Sequence, residues 1–143
     1  MAVAHIKATI PGDIQMVWKL VTSLTHYTWR SNIASIDILE EDKIFVEHTK
    51  DGYSTRFTIT AFDPCKTYQF QMENQNMKGW WTGSFAEGEG QRETIIEFTE
   101  HVTVKRLLLR PFAIAYLKRQ QRRYVEDLKR AVLLETQRQR GKE

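Results

Sequence analysis

One C-terminal segment, residues 109 to about 135, constrains the fold most because its apolar residues recur at helical spacing. At 100° per residue, one side of this helix is apolar and carries Leu109, Phe112, Ala113, Tyr116, Leu117, Tyr124, Leu128 and Ala131. The other side carries Lys118, Arg119, Arg122, Arg123, Glu126, Lys129 and Arg130. Pro111 is tolerated in a first turn, where its missing N–H has no intrahelical partner. A stripe of about seven turns needs a large apolar surface to lie against.

Most of the preceding chain has the alternating pattern of half-buried strands. The pattern predicts strands at residues 3–10, 35–40, 43–49, 54–62, 67–73, 79–86 and 93–104. The short turns between the last six favour antiparallel neighbours. Asp13 is positioned to cap a helix reaching about Leu24. Residues 25–32 have no clean period, and we expect a short second helix or an ordered loop over an opening.

A seven-stranded sheet presents more apolar surface than one helix, about 10 Å wide, can cover. We therefore predict an α+β fold in which the sheet curls around the long helix, with one or two short helices after the first strand. We expect one domain over residues 1–143, with a polar tail, residues 136–143, that frays. Such curling can leave a gap between sheet and helix, and a gap lined by aromatic side chains is a ligand pocket.

Composition excludes several classes of function. Cys65 is the single cysteine, so an intramolecular disulfide is excluded, and the charge of +3 is mild. The N-terminus lacks the pattern of a signal peptide and no apolar run is long enough for a membrane span, so we expect a cytoplasmic protein. The four histidines lack metal-ligand spacing, and neither GxSxG nor a phosphate loop is present. We therefore expect neither a metal nor a cofactor.

The whole pattern resembles the SRPBCC superfamily, which includes START lipid-transfer domains and polyketide aromatase/cyclases. The resemblance rests on the order of elements and on Trp18, the Tyr27-Thr28-Trp29 segment, Asp63-Pro64, Trp81-x-Gly83-x-Phe85, Thr94 and the terminal helix. It implies a helix-grip fold with a hydrophobic cavity between sheet and helix. Within the superfamily the chain is similar to small bacterial polyketide cyclase/dehydrase or lipid-transport-like members.

Aromatic and polar residues at apolar positions are the candidate site residues. The ligand-binding candidates are Trp29, Tyr68, Phe70, Trp81, Phe85, Phe98, Phe112, Tyr116, Gln120 and Tyr124. For any single aromatic, ordinary core packing is the better explanation, and for Asp127 it is pairing with Arg123 and Arg130. Taken together, the aromatics make a cavity wall plausible. Glu100 falls in an apolar column of its strand, so Glu100 and Tyr116 are the acid–base candidates. Trp80 is expected on the opposite face of the sheet.

Three functions fit these features. The first is binding or carriage of a small hydrophobic ligand, lipid-like or aromatic, by a monomer or homodimer. The second is a metal-free polyketide cyclase/dehydrase-type enzyme using the same cavity. The third is an interaction module using the basic face of the last helix, although a solvated helix surface explains that face better than nucleic acid does.

Overall fold

The computed structural model of the protein describes residues 1–90 and 92–141. The strands there are β1 (Ala2–Ile10), β2 (Ile33–Glu40), β3 (Ile44–Thr49), β4 (Ser54–Asp63), β5 (Thr67–Glu73), β6 (Met77–Glu87) and β7 (Thr94–Val104). The α-helices are α1 (Ile14–Thr22) and α2 (Ala113–Arg140), and a 3-10 helix, Leu107–Phe112, precedes α2. Every predicted strand is present, with boundaries within two residues of those expected.

The strands form one antiparallel sheet in the order β1-β7-β6-β5-β4-β3-β2. From β2 to β7 each strand pairs with the next one in the chain, and β1 returns to pair with β7. Strands β1 and β2 are therefore the two edges, and α1 with residues 23–32 carries the chain from one edge to the other. The sheet curves around α2, which confirms the predicted helix-grip architecture.

One strand departs from the predicted alternation. The register between β4 and β5 shifts between Ile59 and Ala61, so Phe62 instead of Ala61 lies opposite Tyr68. The Phe62 ring contacts Trp18 and Tyr68 edge-on, at centroid distances of 5.3 and 5.8 Å. Strict alternation along the predicted strand 54–62 would place Phe57, Ile59 and Ala61 on the inner face. This fails at Ala61, because a β-bulge inserts one residue and reverses the facing beyond it.

The segment after α1 contains turns and no second helix. Asp13 caps α1 by accepting a hydrogen bond from the Met16 amide at 2.9 Å, and the helix ends at Thr22. The Ser23 hydroxyl then accepts from the His26 amide, and the Arg30 amide donates to the Tyr27 carbonyl. Of the two expectations for residues 25–32, the ordered loop is correct.

The long helix begins later and ends later than predicted. Residues 107–112 are 3-10 helix, with the Leu109 amide bonded to the Arg106 carbonyl, and α2 starts at Ala113. The reason is Pro111, which cannot donate to a carbonyl four residues earlier. At the other end α2 continues to Arg140, so the tail expected to fray is helical from residue 136 to 140. Lys142 and Glu143 of that tail lie outside the described residues.

The core that anchors α2 has two parts. One surrounds Leu128 and Val132 and contains Val17, Trp18, Phe85, Ile96 and Phe98. The other surrounds Ala113 and Leu117 and contains Ala4, Phe45, Phe57, Met72 and Val102. Three residues assigned to the buried stripe, Leu109, Phe112 and Tyr116, are instead 45%, 67% and 58% exposed. That assignment was wrong because the sheet packs against Ala113 and Leu117 at this end of the helix and leaves open space beside the other three residues.

Candidate ligand cavity

A cavity occupies the interval of α2 between the two parts of the core. Gln120, Gln121 and Tyr124 face it from the helix. We call this space the inner cavity, and its volume is about 170 Å³. Its sheet wall consists largely of aromatic and apolar side chains, namely Phe45, Phe57, Tyr68, Phe70, Met72, Trp81 and Phe98.

Ring stacking fixes the sheet wall of the inner cavity. Trp81 lies parallel to Phe70 at 4.8 Å, and Phe45 lies parallel to Phe57 at 4.9 Å. The indole of Trp81 is placed by Gly83, where an added Cβ would come within 2.4 Å of the ring. A side chain at residue 83 would push Trp81 toward the cavity, so this glycine sets the depth of the pocket.

A second, larger space of about 630 Å³ adjoins the first near the N-terminal end of α2. We call it the outer cavity. Its volume lies within the range typical of small-molecule sites, about 300–1,000 Å³. Apolar side chains form one part of its lining, namely Met77, Val102, Val104, Leu109, Phe112, Ala113 and Leu117. Polar side chains, among them Thr49, Lys50, Asp51, Asn74 and Asn76, form another part.

Five side chains line both cavities and therefore stand where the two spaces meet. All five are polar: Asn32, Glu47, Glu100, Gln120 and Arg123. We call them the polar ring. An apolar compartment on each side of a polar ring matches a ligand whose polar group lies between two apolar parts.

Glu100 projects into the cavities from β7 and is the most unusual member of the ring. Burial away from water raises its pKa to about 7, against an ordinary value of 4.5. A carboxyl group with this pKa exchanges its proton near neutrality, as a general acid or base requires. The expectation that Glu100 faces inward with its apolar column is supported by this position.

Arg30 and Glu47 form a bidentate ion pair at the cavity wall. The guanidinium nitrogens Nη1 and Nη2 donate to the two Glu47 carboxylate oxygens at 2.6 and 3.2 Å. Burial acts to lower the pKa of Arg30, but the attraction of Glu47 outweighs it and the net pKa is raised. The guanidinium also lies 5.2 Å from the centre of the Tyr124 ring. Its Nε–H is buried and has no partner among the described residues, so a donor remains for a ligand.

Gln121 supplies an acceptor to the same inner cavity. Its Nε2 donates to the carbonyl of Ala4 at 3.0 Å, which fixes the amide to strand β1. Its Oε1 is buried and has no hydrogen-bond partner in the described part of the chain. Because an unpaired buried amide oxygen costs about 1–3 kcal/mol, a ligand donor at this point would recover that energy.

Asp127 holds the loop over the cavity to α2. Its Oδ2 accepts from both the amide and the hydroxyl of Ser31, each at 2.8 Å, while Oδ1 accepts from Arg130 at 3.3 Å. The expected pairing with Arg130 is confirmed, whereas Arg123 bonds to the Ser31 hydroxyl instead of to Asp127. This buried aspartate therefore positions the loop that carries Arg30 and Asn32.

The structure divides the predicted ligand-binding residues into three groups. Tyr68, Phe70, Trp81, Phe98, Gln120 and Tyr124 line the inner cavity, and Gln120, Phe112 and Tyr116 line the outer cavity. Trp29 and Phe85 line neither of these two cavities. Trp29 packs edge-on against Tyr124 at 5.4 Å, and Phe85 packs against Trp18 at 5.0 Å. Each of these two rings therefore packs against a neighbouring aromatic ring and does not border either space.

Tyr116, the second acid–base candidate, lies at the rim with 58% of its surface exposed.

Residues that the sequence reasoning missed are the ion pair, Arg30 and Glu47, and Gln121. Glu47 carried a usable signal, since it alternates with Phe45 and Thr49 on the inner face of β3. Nothing in the sequence distinguishes Arg30 from the other arginines, since it lies in a loop without a period.

The outer face of the sheet carries two further polar groupings. His48 lies between Asp37 and Ser54, with both contacts at 2.7 Å, and Trp80 stacks on His101 at 4.5 Å as expected for that face. None of these residues lines either cavity. Among the described residues, no group of three potential metal ligands comes together and no helix is long and apolar enough to cross a membrane.

Solved structures with this fold are known. The protein XoxI from Bacillus cereus has 19% identity and a TM-score of 0.79, over 93% of this chain and 96% of that one. A START superfamily protein from Mycobacterium smegmatis has 14% identity and a TM-score of 0.79, over 94% and 99%. DynU16, a protein of the dynemicin biosynthetic locus, has 13% identity and a TM-score of 0.72, over 91% of this chain and 46% of that one.

Sequence comparison assigns the family. No curated protein sequence matches the chain. Residues 1–133, however, match the model of the family described as polyketide cyclase / dehydrase and lipid transport. Together with the START-type fold, this match means that the chain belongs to the polyketide cyclase/dehydrase and lipid transport family of the SRPBCC superfamily.

Proposed function

We propose that this protein binds and carries a small hydrophobic molecule in the space between the sheet and α2. The observation that carries the proposal is the pair of adjoining cavities, the inner one with an aromatic sheet wall and the outer one lined by both aliphatic and polar side chains, with a polar ring between them. Burial of apolar ligand surface at about 25 cal/mol per Å² supplies the affinity. The volumes favour an aromatic or cyclic end inside and a longer apolar part outside.

The polar groups at the inner cavity narrow the ligand class further. The free Nε–H of Arg30 offers a donor and the free Oε1 of Gln121 offers an acceptor. A hydroxyl, enol or amide can use both, whereas a pure hydrocarbon leaves both unpaired at a cost. The proposed ligand is therefore an apolar molecule with one such group along its length.

Binding can be tested with N-phenyl-1-naphthylamine, a neutral aromatic probe whose fluorescence rises in apolar surroundings. We expect saturable one-to-one binding, displaced by ligands of the proposed class. Trp81→Leu should lower the affinity for the probe about tenfold, because it removes the indole that stacks on Phe70 in the wall of the inner cavity. Trp80→Leu, on the opposite face of the same strand, is the matched control and should stay within about twofold. Equal effects of the two variants, or no saturable binding, would show the carrier proposal to be wrong.

Glu100 favours a second candidate, a cyclase/dehydrase-type enzyme in the same cavity. A carboxylate with a pKa of about 7 can remove a proton from the carbon between two carbonyls of a poly-β-ketone, so that this carbon adds to a ketone of the same chain, and can return the proton to the alkoxide that forms. It can then remove the second proton of that carbon and deliver it to the new hydroxyl, which leaves as water. Glu100→Gln should then abolish product formation while the probe still binds with unchanged affinity. An unchanged rate in this variant would exclude Glu100 as the catalytic residue.

A further inference from the structure

The 3-10 helix before α2 is unusual because its large apolar side chains point into solvent. Leu107 is 70% exposed, Leu108 is 88% exposed and Phe112 is 67% exposed, and no residue of the helix is buried. Ile114, in the first turn of α2, is 48% exposed. Single exposed leucines need no explanation, but contiguous ones of this size mark a surface that meets an apolar partner.

This surface is continuous with the mouth of the outer cavity. Leu109 and Phe112 belong to the 3-10 helix and also line that cavity, and Tyr116 follows one turn later. An apolar partner seated here would therefore contact the cavity entrance directly. A folded protein that covered the same residues would block the entrance. A lipid bilayer would leave the entrance open to its own apolar interior.

The charge around the exposed leucines has one sign. Residues 101–125 contain no Asp or Glu but contain Lys105, Arg106, Arg110, Lys118, Arg119, Arg122 and Arg123. Lys105 pairs with Glu73 at 3.0 Å, and Arg110 uses its Nε–H on the Val104 carbonyl. Besides Glu47 and Glu100, Asp51 is the acidic residue that lines the outer cavity. The net charge of the segment remains strongly positive.

We propose that residues 105–119 dock on an anionic lipid surface, with Leu107 and Leu108 inserted among the acyl chains and the basic side chains at the headgroups. Aliphatic residues flanked by Lys and Arg on a short helical element are the pattern of interfacial membrane binding. Each basic residue near an anionic surface adds about 1 kcal/mol of attraction. The charge complementarity selects an anionic over a neutral bilayer. The docking proposal depends only on the exposed segment and not on ligand binding. Docking through this segment would place the mouth of the outer cavity at the bilayer surface.

Co-flotation of the full chain with vesicles tests the proposal. We expect binding to vesicles of phosphatidylcholine with phosphatidylglycerol, little binding to phosphatidylcholine alone, and loss of binding at high salt. Replacing both leucines, Leu107→Ser with Leu108→Ser, should weaken binding about tenfold or more. The matched control changes Leu133 and Leu134 to Ser, because these are 55% and 59% exposed on α2 but far along that helix from the cavity. The control should bind as the wild type does.

Charge is tested in the same way. Arg106→Glu should weaken binding about tenfold, whereas Lys129→Glu, which changes the net charge equally in the second half of α2, should have a smaller effect. Equal losses in the leucine pair and its control, or no binding to anionic vesicles, would refute docking. If the protein instead self-associates without lipid, and the change at Leu107 and Leu108 abolishes this, the patch is an interface between copies and the proposal is wrong. Both outcomes are independent of whether N-phenyl-1-naphthylamine binds the cavity.

Discussion

Glu100 shows how one residue can set the chemistry of a cavity. A carboxyl group on the apolar face of a strand loses hydration, and no basic side chain compensates it, so its proton is held until about pH 7. Glu47, also in the polar ring, has a different environment, because both of its carboxylate oxygens accept hydrogen bonds from the Arg30 guanidinium. The cavity thus contains one carboxylate in an ion pair and one carboxyl that exchanges protons near neutrality.

The raised pKa of Glu100 predicts a pH-dependent stability. Unfolded, the group has a pKa of about 4.5, and folded it has a pKa of about 7, so the folded state binds more protons between these values. The free energy of unfolding should therefore fall as the pH rises from about 4.5 to 7, by up to about 3 kcal/mol from this group. Glu100→Gln removes the ionisable group and with it this pH-dependent loss, so the variant should be more stable than the wild type above pH 7.

Urea unfolding of both proteins at several pH values measures this difference. The difference should be small near pH 4.5 and reach its maximum above pH 7. Glu97→Gln is the control, because Glu97 lies on the outer face of the same strand and its hydrogen bond to His5 lowers its pKa. A gain in stability at high pH in this control as well would assign the effect to the strand's net charge instead of to burial.

Residue-level prediction from the sequence succeeded where alternation continued and failed where it stopped. Glu100 and Trp80 were assigned to their faces because their strands keep a period of two. The facing of Phe62 could not be predicted because a bulge shifts the register of its strand, and the packing of Trp29 could not be predicted because a loop has no period. Gln121 was missed because the sequence does not show whether the nitrogen or the oxygen of a buried side-chain amide has a hydrogen-bond partner.

At the scale of elements, strands were predictable and helix ends were not. Turn residues such as Asp51-Gly52 and Asp63-Pro64 bounded the strands, so their limits could be read within two residues. The start of α2 depends on Pro111, which has no N–H to donate to a preceding carbonyl. The amphipathic pattern reports only which side chains share a face, so it does not predict this start. Residues 23–32 could not be assigned because their conformation depends on contacts with α2, above all through Asp127.

The contact between Asp127 and Ser31 predicts how the loop responds to mutation. Asp127→Ala removes the acceptor of two hydrogen bonds, each involving a charged group, and should destabilise the protein by about 2–4 kcal/mol. Amide hydrogen exchange should accelerate most in residues 25–32, because these lose their attachment to α2. Glu126→Ala, at an exposed neighbouring position of the helix, is the control and should leave both quantities nearly unchanged. Uniform acceleration across the sheet would mean that Asp127 stabilises the whole fold and not the loop.

At the scale of the molecule, the cavity follows from a mismatch between a wide sheet and a narrow helix. One helix fills the sheet at two places, around Leu117 and around Leu128, and leaves the interval between them open. The sequence predicted this mismatch and hence a gap. It did not predict that the gap has two compartments, because their boundary is made by side chains from β3, β7, α2 and the loop.

Filling the outer compartment tests whether ligand binding depends on that space. Val102 is buried in β7 and lines the outer cavity, so Val102→Phe should direct a ring into it. Because the space is already present, we expect little loss of stability compared with overpacking a closed core, which costs about 1–3 kcal/mol. Ligands that span both compartments should bind about tenfold more weakly or not at all, whereas N-phenyl-1-naphthylamine, if it occupies the inner cavity, should still bind.

Val3→Phe introduces the same side chain at a position of β1 that is 46% exposed, and it should alter neither binding nor the melting temperature. Isothermal titration of long-chain and short aromatic ligands against all three proteins separates the outcomes. Loss of both ligand types in Val102→Phe would show that the two cavities act as one site. Retention of both would show that the outer cavity is not part of the binding site, so that the inner cavity alone sets the size of the ligand.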